Sequence, residues 1–373
     1  MAQETSTATT IVTKWLLDTR ALWRGDNIRD AVSFVIFSFT YSSVYREASD
    51  ACLKASEYLA LLPSEEQKVV LRKYHFADAC MALGSALLKR AYISHCTGLD
   101  WPKIKLSRRL DAQLGKPCWV APEDGNEWPT IEFNVSHQRG IVVLIGACTT
   151  ISGNGNIVSD VDVSVDVVSP NERNDMASIA ATNFSDFIST FEYVLSEEEI
   201  FGITYTLPTN GTIKLLSGEE ISNESLGRLD RTIECGQGLK ARLKDGREVT
   251  VPSELIIEEK MRNFYATFSM KEAFTKLGGL GLSAPWIKQC EFIGVRAPAK
   301  GGVRRCNILG AWGEIIRGDK DDISVDGNLG GVATEQQALE EDYIITTMLR
   351  PSSALSGGEF PAWITVHLEN ILP

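Results

Sequence analysis

The chain is predicted to fold as an α+β protein, and three observations carry that prediction. The first ~115 residues read as helical, the middle turns to alternating β-type runs, and the second half repeats the order with a strand, helices and closing strands. A linker-like stretch, Ser152-Gly153-Asn154-Gly155-Asn156, separates the two parts. The expected division is therefore 1–152 and 160–373. No clear internal repeat accompanies it.

Each element follows from local signals. Leu62-Pro63-Ser64-Glu65-Glu66-Gln67 reads as a helix start, with Ser64 as N-cap and Gln67 in the capping-box position. An apolar-rich helix is expected through Ala77, Ala79, Met81, Leu83 and Leu87 to Lys89-Arg90. Residues Thr130 to Ala147 predict a hairpin around Gln138-Arg139-Gly140. The run from Val161 to Val168 alternates β-branched residues with acids and closes at Pro170, so it reads as a strand with Asp162 and Asp166 on one side. A helix is expected from near Pro170 past Ala180, and another after Ser196-Glu197-Glu198-Glu199, where Ser196 and Glu199 form a capping box. Residues 204–256 look like an inserted hairpin with a mobile, Gly-rich lead-in. A long helix follows from about Glu254 to Lys276, stopped by Leu277-Gly278-Gly279-Leu280-Gly281. These glycines follow the helix and do not open one, so they read as a C-cap and not a phosphate loop. The polar stretch from Arg317 to Gly331 predicts a surface loop, and the tripeptide Arg317-Gly318-Asp319 within it is a chance occurrence. Tyr343–Met348 and Trp363–Leu368 supply closing strands.

Composition narrows the function. Thirty-seven basic against 49 acidic residues give a net charge of −12, with no extended basic run, which argues against nucleic-acid or membrane-surface binding. No apolar run is long enough to span a bilayer, and Met1-Ala2-Gln3-Glu4-Thr5-Ser6 lacks the basic-then-apolar order of a secretory signal, so a cytoplasmic location is expected. Eight cysteines without Cys-x-x-Cys spacing read as reduced thiols, and four histidines make no zinc constellation. Gly115-Lys116-Pro117 lacks the preceding glycine and the following hydroxyl residue of a Walker sequence, and no Gly-x-Gly-x-x-Gly follows a strand. Kinase and dinucleotide readings are poor.

The chemistry lies in two segments about a hundred residues apart. In Phe268-Ser269-Met270-Lys271-Glu272-Ala273-Phe274-Thr275-Lys276, Glu272 and Lys276 stand four apart and share a helix face. Alone, such a pair is an ordinary weak salt bridge. Ser164-Val165-Asp166-Val167 adds an acid near a strand end, and an acid there beside one on a helix suits a hard cation.

Together these segments resemble the two signatures of the 4′-phosphopantetheinyl transferases, a hydrophobic Asp-bearing strand and then aromatic-Ser-x-Lys-Glu-x-x-x-Lys. Gly115-Lys116-Pro117 and Phe133-Asn134-Val135-Ser136-His137-Gln138 precede them in the order of the two-halved, surfactin-synthetase-activating class, and the resemblance covers about residues 65–285. It is nearest to the fungal broad-range type.

The resemblance implies two pseudo-symmetric halves, each a small antiparallel sheet with a packed long helix, and an active site in the cleft between them. It implies transfer of the phosphopantetheine arm of coenzyme A to a serine of acyl or peptidyl carrier domains, with 3′,5′-ADP leaving and Mg²⁺ required. Asp166 and Glu272 are the implied metal ligands, Glu272 doubles as base, and Lys276 balances phosphate charge. Ser136 and His137, with Asn134, are placed at the nucleotide's phosphates, and Lys116 and Pro117 near the 3′-phosphate. Arg72, Lys73, Arg108 and Arg109 are further phosphate candidates. Where bacterial members often carry a second acid, this chain has Val168, so Gln138 is the candidate third ligand. The implied partners are carrier domains of polyketide and nonribosomal peptide synthases, fatty-acid synthase or aminoadipate reductase, served by a monomer with an internal pseudo-twofold. Two other readings stand beside this one: a nucleotide-binding phosphotransferase of another fold, and a non-catalytic homologue that only binds carrier domains.

Overall fold

The computed structural model describes residues 7–20, 57–109, 115–152, 161–207, 213–215, 217–221, 223–226, 231–279, 281–292, 294–299, 302–307, 315–317, 331–340, 343–371 and 373. The fold is α+β, with small sheets and several helices. Two packing units divide it: 1–165 with 354–373, and 166–353. The expected linker at 152–156 lies largely outside the described residues, as does the Arg317–Gly331 loop beyond Arg317.

The first unit opens on a strand that its helical appearance hid, β1 (Thr7–Asp18). Its Thr, Ile and Val residues favour the extended chain, and Trp15 and Leu17 turn one face to the core. Two helices follow where one was expected, α1 (Ser64–Leu71) and α2 (Phe76–Thr97). The break at 72–75 is exposed throughout, so no buried apolar position there repays continuing the helix. Nor does Ser64 cap α1; the N-cap is Pro63, and the Gln67 side-chain amide donates to the Leu62 carbonyl at 2.7 Å. Helix α2 ends where Gly98 takes the left-handed conformation (φ 71°).

A short pair, β2 (Lys105–Arg108) and β3 (Pro117–Val120), leads to the hairpin β4 (Thr130–Gln138) and β5 (Ile141–Ser152). Arg139 and Gly140 both have positive φ, as a two-residue hairpin turn of this twist demands. Leu83, Leu87 and Leu88 of α2 pack with Trp15, Phe133, Val142 and Leu144 of the sheet. The Tyr92 ring occupies the space above Gly146, where a Cβ would come within 2.1 Å of it.

Strand β6 (Asp162–Val168) is almost wholly buried, and the two units divide within it, after Val165. The helix expected from Pro170 begins later, because Asn171 and Asn174 take positive φ and turn the chain first. Three helices then follow: α3 (Asp175–Ala181), α4 (Phe184–Ser189) and α5 (Glu197–Tyr205). Ser196 and Glu199 make the capping box at α5. The inserted region holds β7 (Ile213–Lys214), β8 (Glu220–Ile221), α6 (Asn223–Leu226) and the hairpin β9 (Gly238–Arg242) and β10 (Glu248–Pro252). It is more than a surface element: Leu207, Leu215, Ile221, Ala241 and Val251 build a small core with Ile256.

Helix α7 (Ser253–Leu277) begins directly after β10, so the insertion's expected end at 256 falls inside the helix. It runs past β11 (Cys290–Phe292), and its Phe264 packs on Phe187 and Ile188 while Phe274 packs on Trp286 and Phe292. The remaining strands are β12 (Val303–Asn307), β13 (Ile315–Arg317), β14 (Ala333–Leu339) and β15 (Tyr343–Arg350), and one sheet runs β12-β14-β15-β6. Buried hydrogen bonds tie α7 to it, from Ser269 Oγ to Thr346 Oγ1 at 2.8 Å and from Gln336 Nε2 to the Ala266 carbonyl at 2.9 Å. The last strand, β16 (Trp363–Thr365), belongs to the first unit and pairs parallel with β1, giving the order β16-β1-β5-β4.

Candidate active site

In the second unit, β6 and α7 bring together three of the residues singled out in the sequence. Asp166 is 4% exposed, and Lys276 Nζ donates to its Oδ1 at 2.8 Å. The same ammonium lies 3.6 Å from Glu272 Oε1, within ion-pair reach but beyond a hydrogen bond. Glu272 Oε2 is buried and has no hydrogen-bond partner among the described residues. Burial raises the Glu272 pKa, helped by Asp166 and opposed by Lys276. Burial works against the charge of Lys276, yet Asp166 and Glu272 outweigh it and hold the ammonium above its ordinary range.

This donor set fits Mg²⁺, which takes one or two carboxylates and completes its shell with water and substrate oxygens. Among the described residues no group of three His, Cys, Asp or Glu side chains could hold a metal, so the protein would supply only part of the shell. Lys271, adjacent in sequence, points elsewhere. Its ammonium is 1% exposed, pairs with Glu199 at 2.8 Å and donates to the Ile287 and Cys290 carbonyls.

The remaining candidates lie in the first unit. Along β4, Glu132, Asn134, Ser136 and Gln138 alternate onto one face, and His137 falls on the other and is exposed. Ser136 and His137 therefore do not share a face, although the motif places them side by side. Asn134 Oδ1 accepts from the Val165 amide at 3.1 Å. Lys116 is 7% exposed; its Nζ pairs with Glu132 and donates to the Val163 carbonyl at 2.8 Å. Arg109 also reaches Glu132, at 2.7 Å. Arg72 and Lys73 are exposed in the break after α1.

Arg108 and Pro117 line a cavity of about 500 Å³ with apolar walls from Val70, Ala86 and Leu106, and with the charged groups Glu66 and Lys89. Arg90 neutralises Glu66 through a 2.6 Å ion pair, so Lys89 and Arg108 leave the cavity a positive balance. Burial lowers the Lys89 pKa; Glu66 counters this, and Arg108 and Arg90 add to it.

Sequence reasoning missed Lys89 and Glu132. Glu132 had a signal, a charge on the same strand face as Asn134 and Ser136; Lys89 was read only as a helix end.

Two acids and an ammonium on an α+β frame are suited to holding a hard cation and balancing anionic charge. Comparison with known proteins gives the class. A family profile described as 4′-phosphopantetheinyl transferase, N-terminal, matches residues 52–149. A 4′-phosphopantetheinyl transferase of Aureobasidium melanogenum is 37% identical over 96% of this chain and 96% of its own length. The 4′-phosphopantetheinyl transferase NpgA of Emericella nidulans is 28% identical over 94% of this chain and 86% of its own. An L-aminoadipate-semialdehyde dehydrogenase-phosphopantetheinyl transferase of Schizosaccharomyces pombe is 32% identical over 35% of this chain and 46% of its own. The chain belongs to the 4′-phosphopantetheinyl transferase family.

Proposed function

We propose that this enzyme transfers the 4′-phosphopantetheine arm of coenzyme A to a serine of acyl or peptidyl carrier domains and releases 3′,5′-ADP. The observation that carries the catalytic assignment is the cluster of buried Asp166 with half-buried Glu272 and Lys276 within a family member. Asp166 and Glu272 would hold Mg²⁺, which when bound offsets charge on the diphosphate. Glu272 accepts the proton of the carrier serine, directly or through a water, and its raised proton affinity suits a base. Lys276 stays charged and stabilises the anionic phosphate oxygens as the serine oxygen bonds to the β-phosphorus and the phosphoanhydride bond to the leaving 3′,5′-ADP breaks.

The cavity bearing Lys89 and Arg108 has the charge and apolar walls to take the nucleotide end of coenzyme A. Ser136, His137 and Gln138 remain candidates for phosphate and metal contacts. The two similar halves with a reaction cleft, the monomeric state and the cytoplasmic location belong to the same proposal. Among the described residues no helix is long and apolar enough to cross a membrane. Carrier domains of aminoadipate reductase, in keeping with the name of the Schizosaccharomyces pombe relative, and of polyketide or nonribosomal peptide synthases or fatty-acid synthase are the candidate acceptors. The test is incubation with an apo carrier domain, coenzyme A and Mg²⁺, read by mass spectrometry. Gain of one phosphopantetheine on the carrier supports the reading; an unmodified carrier across several acceptor types, with coenzyme A intact, defeats it.

A further inference from the structure

The backbone of β6 is held by side chains on either side of Ser164. The Val163 carbonyl accepts from Lys116 Nζ at 2.8 Å, and the Val165 amide donates to Asn134 Oδ1 at 3.1 Å. Residues two apart on a strand direct their backbone groups to the same edge, so both contacts fall on one edge of β6. Among the described residues β6 is the terminal strand of its sheet, so these side chains do there what a neighbouring strand would do.

Both side chains are themselves fixed. Asn134 is 6% exposed on β4, and Lys116 is pinned by Glu132, which also holds Arg109. The Arg109 amide donates to the Lys116 carbonyl at 2.9 Å, which anchors the lysine's own backbone. The Lys116 ammonium is thus spent on a carboxylate and a carbonyl inside the protein, and is a poor candidate for a direct phosphate contact.

We propose that Lys116 and Asn134 are positioning residues, clamping the backbone of β6 so that the next residue, Asp166, presents its carboxylate in a fixed place. The proposal rests on the catalytic role given to Asp166 above. It reassigns two motif residues from gripping the nucleotide to gripping the strand that carries the catalytic acid.

Two variants test it. Lys116→Met with Glu132→Gln removes the ion pair together and leaves no lone buried charge, while Asn134→Leu frees the Val165 amide without altering any charge. Three quantities are read on each full-length protein: hydrogen exchange of the Val165 and Asp166 amides, coenzyme A affinity by calorimetry in Mg²⁺-free buffer, and kcat at saturating substrates. The expected result in both variants is exchange faster by about tenfold or more, kcat lower by about tenfold or more, and a Kd for coenzyme A within about twofold of wild type, because a displaced acid costs turnover and not ground-state binding. Should one variant not fold, the other decides. A Kd weakened about tenfold with β6 protection intact would make these residues nucleotide ligands and overturn the proposal, as would unchanged exchange and kcat. If wild type itself transfers nothing while the variants still lose β6 protection, the clamp stands and the functional reading falls.

Discussion

At the scale of residues, Asp166, Glu272 and Lys276 combine two carboxylates with one ammonium in a largely buried setting, so the cluster keeps a net negative charge that a divalent cation would offset. Asp166→Asn and Glu272→Gln are near-isosteric and should leave the fold intact while lowering transfer by about a hundredfold or more, the cost of losing roughly 3 kcal/mol of electrostatic stabilisation. Turnover of each purified, folded variant at saturating Mg²⁺ checks this, and near-normal rates would remove that carboxylate from the site. A second expectation concerns Cys80, whose thiol burial pushes up to about 12 from 9.0. It should resist alkylation at pH 8 in the native protein and react only on unfolding, as peptide mapping after iodoacetamide would read. The sign of its linkage follows. Between pH 9 and 12 the unfolded thiol has lost a proton that the folded one keeps, so stability falls as pH rises, by at most ~1.4 kcal/mol per pH unit.

At the scale of elements, α7 carries two lysines with different work. Lys276 faces the acids, whereas Lys271 closes a fully buried junction of α7, α5 and β11, with Glu199 also accepting from the Phe292 amide at 2.7 Å. Lys271→Met should destabilise the protein by about 3–5 kcal/mol, because it strands the Glu199 carboxylate in the interior. Glu199→Gln in the same chain should recover part of that loss in denaturant unfolding. The acid on β6 and the acid and base on α7 were legible in the sequence, since alternation and i,i+4 spacing fix which side chains share a face. The hairpin turn at Arg139-Gly140 was legible for the same kind of local reason. The grip of Lys116 on β6 was not, because its acceptor is a backbone carbonyl 47 residues away, and a carbonyl leaves no mark in the sequence. The break between α1 and α2 was hidden too: Arg72-Lys73-Tyr74-His75 is compatible with a helix, and only the lack of anything to pack against decides otherwise.

At the scale of the whole molecule, the inserted region is bound into the second unit more firmly than its polar composition suggested. Fully buried Lys260 on α7 donates to the Thr204 and Thr232 carbonyls, and the Phe184 amide donates to the Ile233 carbonyl at 2.7 Å. Replacing residues 209–247 by a short Gly/Ser linker should therefore leave coenzyme A affinity near wild type but lower Tm, and adding Lys260→Met should return part of it. Calorimetric binding and thermal melts check both, and loss of coenzyme A affinity in a cooperatively melting variant would place the insertion in the nucleotide site. The first unit is discontinuous, since residues 354–373 return to it and β16 pairs with β1 while Lys14 lies over the rings of Phe360 and Trp363 at 5.6 and 4.9 Å. Synthesis on the ribosome runs from the N-terminus, so β1 can pair with β5 early but must wait for its other neighbour, β16, until the entire second unit has emerged. A chain stopped after Ser353 should consequently show faster hydrogen exchange at the β16-facing amides within Lys14–Leu16 of β1, while pairing with β5 still protects the rest of the strand. The N-terminal sheet is in this sense finished by a strand from beyond the second unit, so its full protection reports that the chain has been made through β16.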